Sequence, residues 1–375
     1  MNSQLLFEFL HSRIEAKDFP SAVYLVAEKG EIILQDALGF AVVKPEKIEA
    51  KTDTIYDLAS LTKPLVTGLL CAKLIEKGEI NLTDKIAKYF PDFDTDKKRE
   101  ITIENLLVHT SGFKAWLPFY FIADSKFQIP NLIASELLEI SPNTKVIYSD
   151  FNFILLGFLL EKIHDNDLDK IAREEIFTTL KLENTFFNPP KGLKGRIAAS
   201  EKRNQYELQM AQEKGYDTAG KQIQNPKSKI QNRTVWGEVH DGNAYFMNGV
   251  SGHAGLFSNA FETFKIAHQF LAEETVLLKP ETCKLFRTNF TKGLNEARSI
   301  AFQLAETKDS TASEFLAKDS FGHLGFTGTS LWIEPETERI FILLTNRTHA
   351  RELPFANINS ARRKFHEIAV RILGG

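Results

Sequence analysis

The chain has 375 residues, 43% of them hydrophobic and 25% charged, the composition of a folded globular protein with room for one large domain or two intimate ones. Its formal charge of −3, with Lys and Arg interspersed among Asp and Glu, gives no basic footprint for nucleic acid or anionic lipid. A small-molecule or peptide ligand is therefore expected.

Residues 2–17 read as an amphipathic helix, without the basic start and small-residue cleavage site of a signal peptide. Apolar runs such as 153–160 are too short to span a bilayer, and Cys71 and Cys283 sit in helix-like context as free thiols. The expectation is a soluble, cytoplasmic protein with no membrane partner; the oligomeric state is not legible. Residues 22–28 and 31–39 read as strands around a Lys29-Gly30 turn. From 65 to 187 the pattern is mostly helical, over 69–77, 85–89, 103–107, 132–140 and 152–163. Residues 200–233 are polar and broken by Gly and Pro, a long surface excursion. Strands over 321–325, 329–333 and 339–345 and a helix over 360–373 close the chain. The expected division is a discontinuous sheet domain (1–64 and 245–375), a helical lobe (65–190) and a polar excursion near the cleft (191–244).

Two serine-x-x-lysine stretches occur, Ser60-Leu61-Thr62-Lys63 and Ser111-Gly112-Phe113-Lys114. To act together, the serine must begin a helix so that the lysine one turn on shares its face. Gly112 is a poor helix starter. Pro64 belongs in a first turn, where amide donors are unpaired anyway, so a helix through Leu69 and Leu74 that contains it starts close to Ser60. Burial there is expected to lower the Lys63 pKa. The bland reading is an N-cap serine and a solvated lysine. A second element, Tyr148-Ser149-Asp150, precedes the helix carrying Leu155 and Leu159; its bland reading is a packing tyrosine with Asp150 as cap. A third, running from Gly322 to Ser330, alternates glycines into a strand that could wall a pocket at a sheet edge, or be no more than a Gly-rich strand with a surface His323.

In this order the three elements resemble the penicillin-recognising serine hydrolases, in the branch of class C β-lactamases, family VIII-type esterases and D-aminopeptidases. Residues 106–112, LLVHTSG, and 249–258, GVSGHAGLFS, carry the resemblance further, over roughly 20–345, and place Ser111 in a structural stretch. The resemblance implies an α+β, β-lactamase/transpeptidase-like fold: an antiparallel sheet with the terminal helices on one face, an inserted, mostly helical lobe, and the site between. It implies that Ser60 attacks an acyl carbon, that Lys63 and Tyr148 share the base role, and that the Ser60 and Phe326 amides, the latter after Gly325, form an oxyanion hole. Asp150 stands where class C β-lactamases carry asparagine, and His323 where they carry a lysine suited to a carboxylate. At the ordinary histidine pKa of about 6.5 that charge is mostly absent at neutral pH. An esterase or small amide or peptide hydrolase favouring uncharged substrates is therefore expected. The alternatives are a true β-lactamase or D,D-carboxypeptidase, and, of another class, an inactive scaffold of the same fold. His253 lies in a glycine-rich loop expected to line the cleft. His109, His240, Asp241 and His253 lack metal-ligand spacing, so neither metal nor cofactor is expected.

Overall fold

Residues 21–28, SAVYLVAE, are apolar at successive positions, as a strand buried on both faces must be. In the computed structural model, which describes residues 2–202, 205–216, 233–271 and 275–374, they form β1 (Ser21–Glu28). β2 (Glu31–Val42) returns through Lys29 and Gly30, whose φ of 51° and 76° suit a tight hairpin turn. β1 is also paired antiparallel to β10 (Arg339–Thr345), from the far end of the chain.

The remaining strands are β3 (Ile48–Glu49), β4 (Tyr56–Asp57), β5 (Phe186–Phe187), β6 (Leu256–Ser258), β7 (Gln303–Leu304), β8 (Phe321–Leu324) and β9 (Ser330–Glu334). Seven strands make one sheet in the order β3-β2-β1-β10-β9-β8-β7, and β4-β6-β5 make a small second one. The third sequence element thus lies inside the sheet's end strand, β7, and not at its edge. The period of two separates the faces. Ala22, Tyr24, Val26, Phe341 and Leu343 pack against Leu6 and Leu10 of the helix Asn2–Glu15 and Phe365 and Ile368 of the helix Asn359–Ile372. Val23, Leu25, Ile340, Ile342 and Leu344 join the larger core with the helices Leu69–Lys77 and Asp150–His164.

Helix Ile129–Ser135 ends before the expected 132–140 span is complete: Glu136 is already extended, with Pro142 close behind. The stretch 85–89 is a short 3-10 turn, Ile86–Lys88. Of the expected excursion, 203–204 and 217–232 lie outside the described residues. Between them a helix, Gln205–Glu213, buries Ala211 with Trp116 and Phe121 instead of running free over the surface. Among the described residues no helix is long and apolar enough to cross a membrane. Cys71 and Cys283 are buried free thiols.

Candidate active site

The turn bearing Ser60 begins at Asp57, on the small sheet, whose buried carboxylate accepts the Ala59 amide at 2.8 Å and the His240 amide at 2.7 Å. These bonds hold Ala59 at φ 48°, a left-handed conformation that costs a non-glycine residue of order 1 kcal/mol. Ser60 follows in a 3-10 turn, Ala59–Leu61, and the chain widens into π-helical turns at Lys63–Gly68 before the helix Leu69–Lys77. Pro64 falls in the first turn, where its missing N–H leaves nothing unpaired. The β8–β9 turn is tied to the same segment: Thr327 Oγ1 donates to Asp57 O at 2.8 Å and Thr329 Oγ1 to Leu58 O at 3.0 Å. Gly325 lacks a side chain for this reason, since a Cβ there would lie 2.6 Å from Leu58 O.

Lys63 is wholly buried, and its Nζ donates to Ser60 Oγ at 2.9 Å, to the His253 carbonyl at 3.1 Å and to Asp150 Oδ1 at 2.8 Å. Asp150 is the first residue of its helix, so its carboxylate serves the lysine and not a cap. Tyr148 lies just before it, its ring between those of His109 and His323 at 4.6 and 5.7 Å and 4.9 Å from Lys63 Nζ.

Burial pulls the Lys63 pKa down, but Asp150 and then Tyr148 outweigh it and leave the pKa raised. The expectation of a lowered lysine pKa is thus corrected: it counted burial alone, and the contact with Asp150, 87 residues on, is made only by the tertiary fold. Burial raises the Tyr148 pKa, Lys63 opposes this, and Asp150 adds to it; the net shift is upward. The resting trio is therefore ammonium and phenol, with the ammonium supplying the bias toward phenolate.

Ser111, the rival serine, is buried and donates to Asn152 Oδ1 at 2.7 Å, while Lys114 pairs with Glu136 at 2.7 Å; the second serine-x-x-lysine never meets itself. His253 does not line the cleft as expected. Its ring is buried, Nε2 donating to Asp241 at 3.0 Å and Nδ1 accepting from Ser251 at 2.7 Å, and it is the carbonyl that reaches the site. His323 is 5% exposed, not a surface residue. Its Nδ1 donates to Leu324 O at 2.9 Å, and burial, then Lys63 and Arg298, hold its pKa well below 6.5, so it is neutral. Donor atoms of Asp150, Asp241 and His253 lie within 4.8 Å of one another, a metal-like grouping, but Asp150 is committed to the Lys63 ammonium and Asp241 to His253. His109 accepts the Ser149 amide, and His240 pairs with Glu201 at 2.9 Å.

Two cavities meet at Ser60, Tyr148 and Phe326. One, of about 350 Å³, is walled by Arg298, His323, Arg347 and Arg362. The other, of about 250 Å³, is walled by Trp116, Asp150, Tyr206, Glu207, His240 and Asp241. Sequence reasoning missed these arginines. Arg362 donates to the Gly325 and Thr329 carbonyls at 2.9 Å each, and Arg347 to the Phe326 carbonyl at 2.7 Å, so both clamp the β8–β9 turn. Arg298 differs: Nη2 pairs with Glu296 at 2.8 Å, but Nε and Nη1, buried, meet no partner among the described residues.

The profile of the Beta-lactamase family matches residues 7–362. An Escherichia coli (strain K12) protein bearing the name "Putative D-alanyl-D-alanine carboxypeptidase" is 33% identical over 359 residues, 88% of this chain and 79% of that one. Among solved structures, "EstCE1, a hydrolase with promiscuous acyltransferase activity" shares 20% identity at a TM-score of 0.73, over 97% of this chain and 98% of that one. A class C beta lactamase from Rhodobacter sphaeroides shares 16% at 0.72, over 98% and 99%. The antiparallel sheet with both terminal helices on one face is thus the β-lactamase/transpeptidase-like fold. With its fold and its profile in agreement, the chain belongs to the Beta-lactamase family and is a serine hydrolase.

Proposed function

We propose that Ser60 forms the acyl-enzyme and that the preferred leaving group carries a carboxylate, as when a C-terminal amino acid is cut from a short peptide. In the phenolate form Tyr148 accepts the Ser60 proton as Oγ bonds to the acyl carbon, and Lys63 stabilises that form. The carbonyl oxygen gathers negative charge between the Ser60 and Phe326 amides. As the acyl carbon–nitrogen bond breaks, Tyr148 returns the proton to the leaving amine, and water then repeats the sequence to free Ser60. Asp150 orients and holds the lysine.

The observation that carries the leaving-group reading is Arg298, a permanent cation with unpaired N–H groups in the wall of the larger cavity beside Ser60. It supplies the charge that neutral His323 lacks, and so favours the peptide hydrolase over the esterase of uncharged substrates. The relatives named for carboxypeptidase activity support the same reading. The test compares kcat/KM for N-acetyl-D-alanyl-D-alanine and its C-terminal amide. The free acid should be favoured at least ten-fold, and Arg298→Gln should erase the preference; equal rates in the wild type refute it.

A further inference from the structure

The two cavities that meet at Ser60 have opposite electrostatic character. On the leaving-group side the charged wall residues are Arg298, Arg347 and Arg362. On the other side they are Asp150, Glu207 and Asp241, with His240, and among the described residues no lysine or arginine lines it. Two of these acids already have cationic or histidine partners: Asp150 holds Lys63 at 2.8 Å and Asp241 holds His253 at 3.0 Å. Among the described residues Glu207 makes no such contact, although the His240 cation, its pKa raised to about 9, acts on it. Glu207 is 6% exposed, and its two oxygens share one backbone donor, the Gly242 amide, at 2.9 and 3.2 Å. The approach needs a glycine at 242, since a Cβ there would run into Glu207 and into Tyr120 Cε1 at 2.6 Å. Aromatic faces of Trp116 and Tyr206 complete the wall, and the Tyr206 ring is fixed against that of Phe326 at 4.8 Å.

We propose that the acyl side of the substrate carries an ammonium group, received by Glu207 between Trp116 and Tyr206, so that a molecule spanning both cavities is zwitterionic, an unblocked short peptide. The proposal rests on the reading of Ser60 as the acylated residue. A carboxylate and two aromatic faces attract a cation more strongly in a confined cavity than in water. Without a ligand, burial and then Asp241 push the Glu207 pKa up to about 8, with the His240 cation opposing and Glu201 adding to the rise; Tyr120 faces the same carboxylate. An ammonium beside Glu207 ionises it, so binding near neutral pH releases a proton.

The test uses three p-nitroanilides that lack any leaving-group carboxylate: D-alanyl, propionyl and N-acetyl-D-alanyl. Each is assayed for turnover and, independently, for protection of Ser60 from a fluorophosphonate. The D-alanyl compound should be preferred at least ten-fold over both neutral ones at pH 7. The gap should close as pH rises past the amine pKa of about 8. In Glu207→Gln the ratio should fall toward one; should that variant not fold, the wild-type ratio and its pH dependence decide alone. Equal use of the neutral compounds, or a preference that survives Glu207→Gln, overturns the ammonium subsite. Absence of labelling at Ser60 overturns the acyl-enzyme reading itself, a different failure.

Discussion

Lys63 and Asp150 touch at 2.8 Å, so the lysine one turn beyond the candidate nucleophile is held as an ammonium by the first residue of a distant helix. Asp150 raises the pKa of both Lys63 and Tyr148. Removing its charge lowers both, and the active phenolate then forms at lower pH. In Asp150→Asn the rising limb of kcat/KM against pH should move toward acid, while in the wild type it should still be climbing above pH 9. A limb that stays put, or moves to higher pH, counts against Tyr148 as the base.

Ser60→Ala should abolish turnover, with losses on the order of 10⁶, as for groups that act as a unit. Lys63→Ala and Tyr148→Phe should each cost orders of magnitude, and the double variant little more. Ser111→Ala should leave a covalent adduct forming at Ser60, at a stability cost of about 1–3 kcal/mol for the Asn152 contact it breaks. Peptide mapping after phosphonate treatment distinguishes the two serines.

His323 is held neutral well below pH 6.5 by burial and by the Lys63 and Arg298 charges. The ratio of kcat/KM for a carboxylate-bearing substrate to that for its neutral counterpart should therefore be flat from pH 8 to pH 6, contrary to what an ordinary histidine gives. A rise of more than about three-fold at pH 6 would mean that His323 does take up a proton there.

Asp57→Ala removes the acceptor of the Ala59 and His240 amides, leaving two buried donors at about 1–3 kcal/mol each. The left-handed Ala59 then relaxes and Ser60 moves. We expect a fall in kcat larger than the change in KM, with the phosphonate labelling rate reduced in proportion. An unchanged kcat in a folded protein would show that the turn holds itself.

Periodicity made the sheet and the long helices legible. Strand 339–345 and helix 69–77 were expected with the bounds observed, because each carries its own apolar repeat. That Lys63 would meet Ser60 was legible because Pro64 restricts where the helix can start; Tyr148 was joined to them only by the family resemblance. Glu207 was not legible, because its helix, Gln205–Glu213, falls in a stretch read as a polar excursion, and Arg298 was not, because its place in the cavity wall is set by the tertiary fold and by no local pattern. The two-residue strands were missed for the same reason: Tyr56–Asp57 is defined by β6, some 200 residues away, and not by its own composition. The roles given to Asp150 and His253 depended on contacts that no spacing encodes.

β1 is clasped between β2, its immediate successor, and β10, some 300 residues later in the sequence; Thr327 and Thr329 fasten the serine turn from just ahead of β10. Ser60 is synthesised well before Thr327 and Thr329, so until that later segment is made its turn lacks their two ties and, on the proposed mechanism, the Phe326 amide as well. Joining ends so far apart carries a loop-closure cost that slows folding. On the proposed mechanism, the nascent enzyme is chemically silent until its final strands dock, and a product cut short before β9 keeps the reactive trio but not the frame that arms it.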